Sequence, residues 1–481
     1  MIGKLGAILF TFQYIFPRKA THYWFVITIL GFIVRLDRHG VSSTVRWLKI
    51  PGCLYETYLA FFRSEGTNHK QILKHWLENV VKRHATRTSC GQYVLMGDGI
   101  KIAKESRYMP GVKKLHQESD NSGKSDWIFG HHFGTVGILA GNNGKEFCVP
   151  LNAELHEGAA ALRELQGKEA PVVNGADKTT VITLMANSLA DIAKKLNDPC
   201  VSAADAYFAS ADFFNIAKAV KGEEGQRLLH VIVRGKKSCV AYDLHTRPYC
   251  GKGRPPKYGK RYKLNNLFQT RSDEFLPVTV NIYGETKTIQ VLCLNLWWKP
   301  FNDILRFVLI KDGQEEYILM CSDLNMSPAE IITIYSKRFK IEVTFKTVKH
   351  IIGGFCYHFW TKSWPTNKGK SLTSDDLKDM TKDDKRLVTD AMNAIEAFVN
   401  FAMISTGLLQ ILAVENAREI ISKHRWWMRT SPSDFPSEEM VQKVIQHDFY
   451  HNFYKFKHTD IYTVIRDKRQ LAREEHFKKA A

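Results

Sequence analysis

Hydrophobic and polar positions change their period along this chain, and the changes divide it. Residues 1 to about 85 carry apolar residues at helical spacing, including the runs LGAILFTFQYIF (5–16) and YWFVITILGFIVRL (23–36). SSTVRWLKIPGCLYETYLAFFRS (42–64) predicts a helix, a break at Pro51-Gly52 and a second helix, with Ser42 and Ser43 as N-caps. From about residue 90 the pattern becomes that of strands. Strands are predicted at 92–103, 129–141 and 146–151, the last two joined by an Asn-Gly turn. A helix at 181–196, a strand from 200 ending near Asp205, a helix at 211–220 and a strand at 228–235 follow. This order predicts a mixed sheet covered by helices.

Residues 240–325 read differently, as short β-like runs VTVNIYG, KTIQVLCLNLWW and RFVLIKDG separated by turns. A helical pattern returns at 327–354, then a polar loop at 361–385, a long apolar helix at 387–414 and a mixed-charge helical tail. The two apolar N-terminal runs fall short of the roughly 18 to 20 residues that span a bilayer, so they read as buried helices without stable membrane association.

Composition sharpens this picture through charge. Sixty-eight Lys plus Arg against 49 Asp plus Glu give a net +19, which favours a polyanionic partner and says nothing about fold. The excess is concentrated in HTRPYCGKGRPPKYGKRYKLNNLFQTR (245–271), which has eight Lys or Arg, among them Arg254, Lys257, Lys260 and Arg261, and no acid. Tyr249, Tyr258 and Tyr262 are interleaved there. A solvated basic loop is the simple reading; aromatics among unpaired cations tilt it toward a phosphate backbone. Nine cysteines without a CxxC pair argue against a disulfide framework or a zinc site, and for a reducing, cytoplasmic compartment.

The helical stretch SPAEIITIYSKRFKIEVTFKTVKHIIGG (327–354) carries the candidate chemistry. At about 100° per residue, Tyr335, Arg338, Glu342 and Lys349 fall within an arc of about 60°. Ile332, Ile341, Val343, Phe345 and Val348 point elsewhere, so this polar stripe should face a cleft. An Arg338–Glu342 ion pair at i,i+4 explains two of the four residues. Metal-assisted phosphoryl chemistry needs further carboxylates around hard cations. Asp98 in LMGDG and Asp205 in VSAADAYF, each following an apolar strand, are the candidates.

Y-x2-R-x3-E-x6-K in this position resembles the DDE transposases of the bacterial insertion-sequence-four family. The likeness runs over roughly residues 40–415 and includes GDGIKIAKESRYMPGVKKLHQESDNSGKSDWIFGHHFG and GGFCYHFWTKSWP. The resemblance implies an α/β fold, a ribonuclease-H-like mixed sheet flanked by helices and interrupted by a β-rich insertion, with helical N- and C-terminal regions. It implies catalytic parts at 89–239 and 326–415 around an insertion at 240–325. The helix pair at 42–64, with Arg46, Lys49 and Arg63 on its polar faces, fits a helical DNA-binding region at 1–88 or, as readily, an ordinary αα-hairpin, and the pattern alone gives a helical region at 416–481. Asp98, Asp205 and Glu342 would bind two Mg²⁺, with Mn²⁺ as substitute, and catalyse cleavage at transposon ends and strand transfer into target DNA. Tyr335, Arg338 and Lys349 would grip DNA phosphates. Trp298, or its neighbour Trp297, could meet a flipped base, although a buried strand tryptophan is the plainer reading. The partners implied are double-stranded DNA and a second copy of the chain, a homodimer on DNA at the nucleoid. Ile100 stands where the family often has Thr, and Ala206 where it often has Gly, which bears on local DNA contacts. A stand-alone nuclease of the same fold and a silent DNA-binding derivative are the rivals.

Overall fold

The computed structural model describes residues 1–104, 108–117, 125–142, 145–156, 180–244, 257–365, 377–424 and 434–480, with the backbone alone for Glu65 and 471–480. The fold is mixed α/β. Its strands are β1 Tyr93–Ala103, β2 Lys113–His116, β3 Trp127–Asn142, β4 Lys145–Leu155, β5 Cys200–Ala204 and β6 Leu229–Arg234. They continue as β7 Val240–Tyr242, β8 Arg261–Lys263, β9 Leu276–Ile282, β10 Glu285–Trp298, β11 Asp303–Asp312 and β12 Glu315–Cys321. All twelve form one sheet in the order β2-β3-β1-β5-β6-β12-β11-β10-β7-β8, with β4 on β3 and β9 on β10. β1 is antiparallel to β3 and parallel to β5, and β5 is parallel to β6. β5 is buried at every position, CVSAA, as expected of a strand covered on both faces.

The run 240–325 continues this sheet. β12 pairs antiparallel with β6 through Leu319, Met320 and Cys321. The sequence pattern does not predict β12, because its seven residues give no clear alternation before the next helix. The predicted Asn-Gly turn between β3 and β4 falls on residues 143–144, outside the described residues.

Helices close both faces. The helix Lys382–Glu415 is the one described helix long and apolar enough to cross a membrane, and that apolar stretch is wholly buried inside the protein. It is hydrophobic all round because it is surrounded: Asn400 bonds both backbone groups of Ala153 on β4, and Phe398 and Phe401 meet Phe32 and Phe25. Lys19–Val34, one of the two apolar N-terminal segments, is likewise buried from His22 through Val34. The predicted helix pair is found at Gly40–Trp47 and Tyr55–Arg63, with Pro51 between. Ser42 and Ser43 are not its caps: the helix starts at Gly40, and Ser43 instead donates to the Asp37 carbonyl at 3.1 Å. The tail forms helices at Ala417–Lys423, Glu438–Asn452 and Asp460–Ala480. The last packs on the N-terminal helices, with Lys468 over the Trp24 ring at 3.8 Å and Arg469 donating to the Leu48 carbonyl.

Candidate active site

Asp98 lies within β1, opposite Thr135 of β3. Glycines flank it because neighbours press directly on the strand. A Cβ at Gly97 would meet the Met185 sulfur at 2.9 Å, and one at Gly99 the His132 ring at 2.3 Å. The Gly-Asp-Gly triplet therefore lets the helix Val181–Leu196 and His132 close over one face of the strand. Asp205 follows β5 directly and caps a short 3-10 turn, accepting from the Ala206 amide at 2.7 Å. Parallel pairing of β1 with β5 brings these two acids to neighbouring strands.

Glu342 comes from the helical run after β12. Ser327 caps its start and Pro328 opens it. The run is not one α-helix. It passes from α (Pro328–Ser336) through a 3-10 turn (Lys337–Phe339) to α (Lys340–Thr347) and then a π turn (Val348–Ile352). Lys349 is exposed on the π turn, and Val343, within the regular segment Lys340–Thr347, faces solvent although the 100° wheel sets it off the polar stripe. Lys337 pairs with Glu146 at 2.8 Å and Thr344 donates to the Cys148 carbonyl at 2.7 Å, fixing this run on β4. Its end is held from the N-terminal region. Gly353 adopts a left-handed φ of 69°, and buried Arg35 donates to the carbonyls of Ile352 and Gly353 at 2.7 and 3.0 Å. Burial lowers Arg35 to about 10, so it stays charged at neutral pH. This anchoring has no short sequence signal, since Ile352 and Gly353 lie more than 300 residues away.

Arg338 joins the acids. Its guanidinium donates to Asp98 at 3.3 Å and to Glu342 at 2.7 Å. Those two bonds and the width of a guanidinium put the carboxylates within about 8 Å of each other. Burial works against the charge on Arg338, but Asp98, Asp205, Tyr335 and Glu342 outweigh it and leave its pKa raised. Burial pushes Asp98 up to about 6, against the pull of Arg338, with nearby Glu342 and Asp205 adding to the rise. Among the described residues no three His, Cys, Asp or Glu side chains already stand close enough to hold one ion. Glu342 is half exposed, its side chain 55% accessible, whereas Asp98 is 20% accessible.

Two cavities meet at Asp205. One, of about 170 Å³, is lined by Asp98, Lys101, His132, Tyr207 and Asp205. Burial first, then Lys101 and Lys113, lower His132 to about 4, so its imidazole is neutral. The other, of about 220 Å³, is bordered by Asp205, Arg234, Tyr317, Tyr335, Arg338 and Tyr283. Lys287, Asp312 and Glu315 also line it, so guanidinium, ammonium and phenol donors share this cavity with three carboxylates, and the donors nearest Asp205 are Tyr335 and Arg338. Burial raises the Tyr335 phenol to about 12, so it remains a hydrogen donor.

Other predicted DNA-binding residues lie apart from the acids. β8, which carries Arg261, is six strand spacings from β5, roughly 29 Å along the sheet. Lys257 bonds the Asn302 side chain at 2.6 Å and sits 5.7 Å from the Trp297 ring. Lys260 lies over Tyr262 at 5.3 Å. Arg254, like all of 245–256, lies outside the described residues. Trp298 does not offer its face to DNA; it is buried, with its ring 5.5 Å from Phe214. Trp298→Ala is accordingly expected to destabilise the protein by roughly 3–5 kcal/mol, read as a fall in the urea midpoint with or without DNA.

The strand-borne acid pair, an acid-bearing helix and a guanidinium among them define a candidate carboxylate nuclease centre. The profile of the family described as DDE superfamily endonuclease matches residues 11–279, and the chain belongs to that family. The match contains Asp98 and Asp205 and ends before Glu342. No curated protein matches the chain.

Proposed function

We propose that this protein is a DDE transposase. On this reading it cuts DNA at the ends of a mobile element and joins the freed 3′-OH to a target phosphodiester, as a homodimer on DNA at the nucleoid. The observation that carries it is Arg338 bridging Asp98 and Glu342 beside Asp205. The order β4-β3-β1-β5-β6, with an antiparallel β3 and parallel β5 and β6, supports a ribonuclease-H-like arrangement. The resemblance to the insertion-sequence-four family belongs to the same proposal.

Three carboxylates are a hard-oxygen donor set, the kind that Mg²⁺ or Mn²⁺ takes. Asp98, Asp205 and Glu342 would hold it once the Arg338 guanidinium withdraws from between two of them. When bound, such ions neutralise phosphate charge and lower the pKa of attacking water. The chain's own part is positioning. Arg338 turns its planar fork from the acids to two phosphate oxygens, and Tyr335 donates its phenol hydrogen nearby. Lys349, exposed at the π turn, adds a point charge to the DNA backbone.

Arg338→Ala is expected to tighten Mn²⁺ binding to the DNA-free protein several-fold, because a competing cation is gone, and to weaken DNA-end binding. Electron paramagnetic resonance titration of Mn²⁺ and fluorescence anisotropy of a labelled DNA end check the two parts. Unchanged Mn²⁺ affinity would show that Arg338 does not compete for the acids.

A nuclease that cuts without joining is the second reading, favoured by the family's description as endonuclease. The deciding experiment incubates protein and Mg²⁺ with a labelled duplex carrying the repeats that flank the gene, plus supercoiled plasmid. Label joined to plasmid supports the transposase. Cut duplex with no joined product leaves the nuclease, and an intact duplex rejects both.

A further inference from the structure

Along the face of the sheet that carries Asp98, cover gives out toward the start of β3. Residues facing one another across antiparallel strands share a face, so Asp98, Ile100 and Ile102 lie with Thr135, Phe133 and His131. Phe133 is buried under Phe355 and Tyr357. His131 is buried too, with one ring nitrogen 2.6 Å from the Tyr357 hydroxyl and the other 2.8 Å from the Pro110 carbonyl. The next two residues on that face, Phe129 and Trp127, are 39% and 48% exposed. β2 places Lys114 opposite Phe129 and His116 opposite Trp127, and the Lys114 ammonium stands 4.8 Å over the indole.

A second segment is tied to this ledge at Lys104, whose amide donates to the Phe129 carbonyl at 2.9 Å. Lys104 fixes it by donating to the carbonyls of Phe355 and Tyr357 at 2.6 and 3.2 Å. It ends with Trp360, 54% exposed, and Thr361, whose amide donates to the Tyr108 carbonyl. Lys362 is exposed beside it. The ledge thus presents Trp127 and Phe129 beside Lys114 and His116, with Asp126 as the described carboxylate at its margin, while Trp360, Tyr108 and Lys362 stand exposed on the tethered segment and its neighbour. Neighbouring exposed aromatics of this kind are uncommon on a protein surface and mark interaction sites. Cations between flat aromatic faces match a strand of phosphates with unstacked bases.

We propose that this ledge binds a single strand of DNA that leaves the active site, with bases stacked on Trp127, Phe129 and Trp360. The proposal rests on DNA being the substrate, and it extends that reading to a surface nothing else assigns. Six to eight residues of β3 separate Phe129 and Trp127 from the partner of Asp98, or roughly 20–27 Å. At the ~3.4 Å rise of a stacked strand this distance is about six to eight nucleotides, and fewer where the bases unstack.

The test uses the full chain carrying Glu342→Gln, which cannot cut, and fluorescence anisotropy of a labelled oligonucleotide. The probes are a duplex with single-stranded extensions of two or twelve nucleotides on either side of the cleavage point. The twelve-nucleotide probe should bind more tightly than the two-nucleotide probe on one side. Trp127→Ala with Phe129→Ala should remove that gain, roughly tenfold or more. Trp127→Phe should keep most of it, and intrinsic tryptophan quenching on adding the long probe should be smaller in Trp127→Phe than in its parent. Equal affinity for both lengths, or a gain that survives the double alanine change, overturns the proposal. So does an equal loss on the two-nucleotide probe, which would mark the effect as general. Failure of the wild-type chain to cut with Mg²⁺, with the length-dependent gain intact, would instead remove the nuclease reading and leave the ledge.

Discussion

Glu342→Gln is expected to lower Mg²⁺-dependent cleavage by roughly 10³-fold or more while DNA-end affinity stays within about threefold. Glutamine keeps the length of the side chain and an oxygen that can accept from Arg338, which now holds Glu342 at 2.7 Å. It loses the charge that a divalent ion requires. The side chain is half exposed, so this substitution carries little folding cost. Nicking of the end-bearing duplex measures the first part and anisotropy the second. Parent-like cutting would remove Glu342 from the metal set, the member of the triad that lies beyond the family match.

Asp98→Asn should likewise abolish cutting, and it should also make the metal-free protein more stable at neutral pH. The sign follows from burial. The folded-state pKa of Asp98 is raised from 3.8 to about 6, so folding favours its protonated form. That contribution is fully present below about pH 4 and is lost as pH rises through 6. Its full size is about 3 kcal/mol at most, from the width of that interval. Asparagine is neutral at every pH, so the variant escapes the loss. The two proteins should unfold at similar temperatures near pH 4 in chelator, and the variant should unfold several degrees higher at pH 7.5. Saturating Mn²⁺ should narrow the gap by stabilising only the parent. An Asn variant less stable than the parent at pH 7.5 would mean that the Arg338 pair outweighs burial.

Much of the site is legible in the order of residues alone. The spacing of Tyr335, Arg338 and Glu342 puts a polar stripe where an amphipathic helix would bury apolar residues, and the fold brings these residues into one place with Asp98 and Asp205. Asp98 and Asp205 follow apolar strands, where a buried acid is costly, but acids in such places are common, and it is the family resemblance that singles these two out. The ladder pair Arg338–Glu342 is present as the local spacing predicts, yet Arg338 also reaches 240 residues back to Asp98, which no local rule gives. Trp298 goes the other way. Its appeal as a DNA contact fails because Phe214, from a helix 84 residues earlier, covers it.

Local periodicity determined that the chain has a helical start, the strands β1, β3 and β4 followed by β5 and β6 in alternation with helices, and an acid-bearing helical run after β-rich sequence. Those features depend on side-chain spacing within one element, which the sequence contains in full. Only the tertiary structure decided that 240–325 extends the same sheet through β12, that the glutamate run changes helical type at Lys337 and Val348, and that Arg35 anchors its end. It also decided where cover stops on the Asp98 face and leaves Trp127 and Phe129 open. Such outcomes are set by strand pairing and by contacts between distant residues, whose energies no single stretch of sequence contains.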